Sequence, residues 1–424
     1  MTEFRQVTLP SGLRIVAEVD RRGYSAAFGY FVAAGARDET DPEAGLSHFL
    51  EHMMFKGTAR RSAADVNREL DELGGQSNAY TTEENTVYYA AVLPKFQDRV
   101  VELLTDILSP ALDADEFEVE RQVILEEIAK YDDQPPFGAF ERVMELQYSP
   151  RGLGRRVLGT PESIRAMTAE RMRDYFYRRY RPENIVLAAT GNLDFDALVA
   201  DAERLTGAWS GRPLVVPPPA DDPHRLPPGI TLESHLDIDE AAQAYLVEIR
   251  PGPGMSGQDR FAVRMLAAVL GDEGGSRLFW ELIDTGRAEI ATLWSQEFAD
   301  TGGIFSYLVC APEDLRANHG LMTGVVERAA AGGFRDEELS QAINKTLAGC
   351  IMQSERPSNR LFGLGTRWLM RDEYIPLDDL LDRYRSVTLD DVARAADAYL
   401  SAPPAKVVAG ASETGQRLAT ATRP

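Results

Sequence analysis

Two strand-like stretches that mix apolar and polar positions, residues 5–9 and 13–19, flank Pro10-Ser11-Gly12 and predict a β-hairpin, and the apolar stretch 26–34 predicts a third strand. The spacing then turns helical. Asp41-Pro42 offers an N-cap and a favourable first helical position, and Gly57 offers a stop, so one helix is expected between them. Ser62 is placed to cap a second helix over residues 63–73, closed by Gly74-Gly75. Residues 76–81 and 85–93, rich in Tyr, Thr and Val, read as two strands, and 96–108 as a helix. A longer helix is expected from Asp113 or Asp115 through Ala129, with Phe117, Val119, Val123, Ile124 and Ile128 as its buried side. Beyond the Pro135-Pro136 break come further helices, including 168–180, and a strand at 185–190 before Gly191.

The second half follows the same order. Thr168-Ala-Glu-Arg-Met-Arg-Asp-Tyr, with its proline-containing loop and apolar strand, is echoed by Thr388-Leu-Asp-Asp-Val-Ala-Arg-Ala, Pro403-Pro404 and residues 406–409. Duplication of one α+β unit is the expectation. The helix around residues 337–348 then corresponds to the one that carries Glu120 and Glu127, which face Ala342 and Gly349, and the second half has no counterpart of the histidines described below. Seven prolines between Gly211 and Gly229 mark a semi-rigid linker. The expected organisation is a catalytic domain at 1–210, the linker at 211–229 and a non-catalytic domain at 230–424.

Length and composition narrow the class. A chain of 424 residues exceeds the usual size of one core, and 44% hydrophobic with 26% charged residues is ordinary for a globular protein. The opening Met-Thr-Glu-Phe-Arg-Gln lacks a secretory pattern and no apolar run is long enough to span a bilayer, so the cytoplasm, without membrane association, is the expected location. The formal charge of −22 argues against nucleic acid as a partner. It is read as a well-solvated surface in preference to an acidic cavity for cationic peptides. Cys310 and Cys350 lack metal-type spacing and are expected to be buried thiols.

Candidate chemistry concentrates in the first predicted helix. His48 and His52 lie four apart, so their rings project from one helical face as a two-nitrogen clamp for zinc. Glu51 is close enough to hold and deprotonate a water at an open position of the metal, in the order His-x-x-Glu-His. A third protein ligand is needed, and Glu127, on a separate amphipathic helix, is the choice. Glu120 shares its face and is expected to support the site or contact substrate, whereas Glu126 is turned about 100° away and reads as solvated. His224, His235 and His319 are isolated and read as surface or linker residues.

His48-Phe-Leu-Glu-His-Met-Met-Phe-Lys-Gly-Thr58, Asn78-Ala-Tyr-Thr81, Thr86-Val-Tyr-Tyr89 and Glu120-Arg-Gln-Val-Ile-Leu-Glu-Glu127 together resemble the pitrilysin family of zinc peptidases, most of all its short bacterial members and the catalytic subunit of mitochondrial processing peptidase. The resemblance runs through almost the whole chain. It implies one zinc held by His48, His52 and Glu127, Glu51 as general base, and Glu120 as an additional glutamate near the reaction. It also implies an edge strand over residues 77–81, with Ser77, Asn78, Ala79 and Tyr80 as substrate contacts, that binds unfolded peptides by main-chain pairing. The implied architecture is two similar α+β domains, each a mainly antiparallel sheet packed with helices, together forming half of a clamshell chamber.

One departure stands out. Many relatives carry an arginine and a tyrosine seven apart after the Ser-Arg-Leu-Phe segment of the second half, and here Ile283 and Ile290 occupy those positions, with Arg287 off the spacing. The expectation is therefore a zinc endopeptidase that forms a heterodimer with a homologous subunit supplying the pair, a homodimer being the competing arrangement. A non-catalytic structural or peptide-binding subunit of the same fold is the alternative function.

Overall fold

In the computed structural model, residues 2–149, 152–207, 209, 232–238 and 241–411 are described; the expected linker at 211–229 and His224 lie outside them. The first half opens with strands β1 (Glu3–Thr8), β2 (Arg14–Val19) and β3 (Ala26–Val32), then helices α1 (Leu46–Met54) and α2 (Ala63–Glu72). Strands β4 (Gln76–Thr81) and β5 (Thr86–Val92) precede helices α3 (Gln97–Ile107), α4 (Ala114–Asp132) and α5 (Pro135–Tyr148), and β6 (Ile185–Gly191) completes a six-stranded sheet. Its order is β1-β2-β6-β3-β5-β4, with only β2 and β6 parallel, so β4 is an edge. The second sheet runs β7 (Glu233–Asp237), β11 (Ala405–Gly410), β8 (Ala244–Gly252), β10 (Gly302–Cys310), β9 (Ile290–Glu297), with only β7 and β11 parallel. Without β1 the two orders are identical. The helices α4 and Asp336–Ser354, each of 19 residues, occupy equivalent places, as the expected duplication requires.

Each compact unit draws on both halves of the chain. Residues 351–375 join the first unit, and 129–154 join the second. The helix Pro357–Arg371 covers one face of the first sheet, where Leu361, Leu364, Trp368 and Leu369 bury Val16, Phe31, Val87 and Val186. It is fixed there by Arg360, whose Nε donates to Glu18 Oε2 at 2.7 Å, while Tyr374 donates to Glu18 Oε1 at 2.8 Å. In the second unit α5 plays the same part against Val247, Ile249, Val407 and Ala409. Both helices start at the proline that follows a 19-residue helix, where the missing N–H costs nothing.

The start of α1 differs from expectation. Asp41-Pro42 forms only a short 3₁₀ turn, Asp41–Glu43, and α1 begins at Leu46. Gly45 bends the chain at φ 87°, and a Cβ there would lie 2.5 Å from the Leu158 carbonyl oxygen, so the turn requires glycine. The capping group is remote. Buried Glu39 accepts the Gly45 and Ser47 amides at 2.8 and 2.6 Å, filling donors that the first helical turn leaves open. Ser47 is also tied by its hydroxyl to Tyr175 at 2.7 Å.

The buried side of α4 also differs. Val119 and Val123 are 61% and 42% exposed, while Glu120 is 2% exposed. The helical period that buries Phe117, Ile124 and Ile128 turns the two valines outward and Glu120 inward, a burial made tolerable by the charged partners described below. His319 is half-buried, with its Nε2 2.9 Å from buried Glu248. Partly exposed His235 lies beside Asp237. Cys310 is buried as expected, Cys350 only half-buried.

Two outcomes follow. A fragment ending at residue 210 lacks the helix that covers one face of its sheet, and several large side chains worth about 1.5–3 kcal/mol each on burial are left wet. It should be insoluble or melt without cooperativity, and a cooperative thermal melt would contradict the exchanged-helix account. Burial pushes the Glu39 carboxyl up to about 8, the amide hydrogen bonds from Ser47 and Gly45 opposing it. The unfolded chain gives up this proton near the ordinary carboxylate value and the folded chain only near 8, so this group's stabilisation is lost as pH rises between them. Differential scanning calorimetry across that window should show a Tm that falls less with pH in Glu39→Gln than in the unaltered protein.

Candidate metal centre

Helix α1 lays Leu46, Phe49, Leu50 and Met53 into the core of the first unit, which leaves His48, Glu51 and His52 along its opposite side. Helix α4 brings Glu127 against them. Glu127 Oε2 lies 3.7 Å from His48 Nε2 and 3.6 Å from His52 Nε2, and one ligand atom from each of the three residues lies within 4.8 Å of the others. Ligands tetrahedrally disposed at ~2.1 Å from zinc are about 3.4 Å apart, so the spacing suits that ion. Two imidazole nitrogens and one carboxylate oxygen at this distance can ligate one cation.

Around this triad stand groups that hold it. His52 Nδ1 is 2.8 Å from Glu120 Oε1, which fixes the proton on Nδ1 and leaves Nε2 free to ligate. Glu120 is in turn paired with Lys56 Nζ at 2.5 Å from its other oxygen. Glu51 Oε2 accepts a hydrogen bond from the Thr81 hydroxyl at 2.5 Å.

The protonation equilibria follow this geometry. Burial, with His52 next, pushes His48 down to about 3 and keeps it a neutral ligand. At His52 burial also opposes the charge, but the Glu120 hydrogen bond and the charges of Glu120, Glu127 and Glu51 outweigh it and raise the pKa. Burial raises Glu51, the Thr81 bond opposing. For Glu120 burial is overcome by His52 and Lys56, so its pKa is lowered and it stays a carboxylate.

The structure therefore brings together His48, His52, Glu127, Glu51 and Glu120. The anticipated substrate strand is the sheet edge, and α1 packs against it. Ser77 and Asn78 are exposed, and the Asn78 side chain accepts the Ala79 amide at 2.9 Å. Ala79 packs toward the core beneath α1. Tyr80 turns its ring to the opposite face, 5.8 Å from the Phe362 ring, so only its main chain stays at the edge. Sequence reasoning missed Lys56 and Glu39, and it placed Thr81 only in the substrate strand without its contact to Glu51. Lys56 follows the end of α1, and these three residues act through contacts that no local pattern reveals. In the second unit Ile283 packs against the core and Arg287 is exposed.

Known proteins place this geometry in context. Residues 14–161 match the model of "Insulinase (Peptidase family M16)" and 166–346 that of the "Peptidase M16 inactive domain". An uncharacterized zinc protease of Mycobacterium tuberculosis is 35% identical over 94% of this chain and 91% of its own. The beta subunit of the mitochondrial-processing peptidase of Saccharomyces cerevisiae is 28% identical over 96% and 90%. In fold, a protease from Helicobacter pylori superposes with a TM-score of 0.88 at 21% identity, covering 96% of this chain and 99% of the other. With the candidate ligand triad in the segment matched by the first model, and no second such group among the described residues, the chain belongs to peptidase family M16, the insulinase or pitrilysin family of zinc proteases.

Proposed function

We propose that the chain is a zinc-dependent endopeptidase that cleaves unfolded peptides, with one zinc held by His48, His52 and Glu127. The observation that carries this reading is the convergence of two imidazole nitrogens and one carboxylate oxygen beside a second, hydrogen-bonded carboxylate, Glu51. Bound zinc supplies Lewis acidity, polarising the scissile carbonyl and making water a better nucleophile at neutral pH. The chain's own residues do the rest. Glu51 takes the proton of the attacking water and returns it to the leaving amine. Glu120, held by Lys56, fixes the His52 ring, a supporting role in which it does not touch the reacting atoms. The open edge of β4 pairs with the substrate main chain through residues 77–80, which accounts for tolerance of varied side chains.

Among its described residues the second unit has the topology without such a ligand group. Its helix Asp336–Ser354 carries Ala342 and Gly349 where the first unit has Glu120 and Glu127. Its role in this reading is non-catalytic. Ile283 and Ile290, at the positions of the family's Arg/Tyr pair, support a heterodimer in which a homologous partner provides that pair. The expected setting is the cytoplasm; no helix among the described residues is long and apolar enough to cross a membrane. The intact set of His48, Glu51, His52, Glu120 and Glu127 supports an enzyme over a structural subunit.

Glu51→Gln should keep zinc and fold while cleavage of a peptide library falls by at least about 100-fold; undiminished cleavage refutes the assigned base. The purified chain assayed alone should show little peptidase activity and gain it when the product of a homologous neighbouring gene is added. Full activity without a partner sinks the heterodimer.

A further inference from the structure

We propose that Thr81 is a positioning residue for the general base, so that the strand which binds substrate also aims the carboxylate that acts on it. The inference rests on the reading of Glu51 as base and adds to it a residue outside the metal-binding helices. Thr81 is the last residue of β4, paired across the ladder with Thr86. Strand alternation puts Ala79 and Thr81 on the face toward α1, while Tyr80 points away. That places the Thr81 hydroxyl against Glu51, and its Oγ1 donates to Glu51 Oε2 at 2.5 Å.

The direction of this bond is fixed by chemistry. An ionised carboxylate only accepts, so Thr81 must donate its single proton there. The neighbouring Thr86 hydroxyl, 3.4 Å away, spends its own proton on the Ala34 carbonyl at 2.8 Å and offers Thr81 nothing in exchange. The hydrogen bond to Oε2 restrains the rotamer of Glu51 and so fixes where its carboxylate stands.

The donor sits on a clamped support. The turn after β4 closes through the Thr82 amide to the Asn85 carbonyl at 2.8 Å, and the Thr82 hydroxyl accepts the Glu84 and Asn85 amides at 3.2 and 3.1 Å. The loop after β3 grips this turn from outside. Ala36 and Arg37 amides donate to the Thr82 and Glu83 carbonyls at 3.3 and 2.7 Å, and Arg37 pairs with Glu84 at 2.5 Å. The two segments approach so closely that a Cβ on Gly35 would lie 2.5 Å from the Thr82 carbonyl oxygen. Thr81 therefore enters the site from a hairpin end held by backbone and side-chain bonds, the support that keeps a reacting group in one geometry. A peptide paired along β4 is in register with the strand that carries the hydroxyl, so substrate and base share one reference frame.

The test compares Thr81→Val, Thr81→Ser and Glu51→Gln with the unaltered protein, in the assembly in which the latter cleaves. Kinetics on a quenched fluorescent peptide are joined to zinc affinity by chelator competition and to thermal melts. Valine keeps the shape and removes the donor. It should lower kcat by about 10- to 100-fold, the worth of one hydrogen bond to a charged group, with KM, zinc affinity and Tm nearly unchanged. Serine should restore most of the rate. An unaltered kcat in Thr81→Val beside an inactive Glu51→Gln overturns the inference and leaves the reading of Glu51 standing, whereas an active Glu51→Gln overturns that reading and the inference with it. A rise in KM alone, a loss of zinc, or failure of both Val and Ser variants to fold assigns Thr81 to binding or structure and also overturns the proposal.

Discussion

Two imidazoles and a carboxylate that point their lone pairs at one spot repel unless something positive lies between them, and this electrostatic demand organises the first unit. Burial sharpens it. His48 is pushed toward the neutral form, His52 is drawn toward the charged one by the carboxylates around it, and Glu120 is held as a carboxylate by His52 and Lys56. Net negative charge is thus gathered on the inner side of α1 and α4. Lys56 answers part of it at Glu120, and His48, His52 and Glu127 form the group that could hold a divalent cation.

The supports of this centre come from widely separated parts of the chain. Glu39 caps α1 from outside the helix, Tyr175 holds Ser47 beside the first histidine, and Thr81 reaches Glu51 from the sheet edge. The sheet itself is closed on one face by a helix that belongs in sequence to the second half. The second repeat therefore serves the first in two ways: it contributes a covering helix, and it repeats the topology with Ala342 and Gly349 in place of the acids.

Much of this was legible in the chain. Period changes located β2, β3, β4 and α3 within a residue or two, because their apolar faces meet a core and their ends carry proline or glycine. The metal centre was legible because histidines four apart and an acid on a second helix form a local pattern with a chemical reason. The start of α1 was not, since Asp41-Pro42 satisfies every local rule for a helix start while the actual cap, Glu39, lies outside the helix and depends on a glycine turn packed against Leu158. The α4 face was misjudged because hydrophobicity ranks Val119 above Glu120, whereas burial of Glu120 is decided by partners on another segment, His52 in α1 and Lys56 just beyond its end. The exchange of α5 and Pro357–Arg371 between units was hidden for the same reason: each looks like an ordinary amphipathic helix until its partner sheet is known.

Zinc X-ray absorption on the purified, metal-loaded chain bears most directly on the central claim. The account predicts a first shell of nitrogen and oxygen only at ~2.0–2.1 Å, with two imidazole rings in the outer scattering and one ring fewer in His52→Ala. A shell with sulfur, a single imidazole, or a spectrum unchanged by His52→Ala would contradict it.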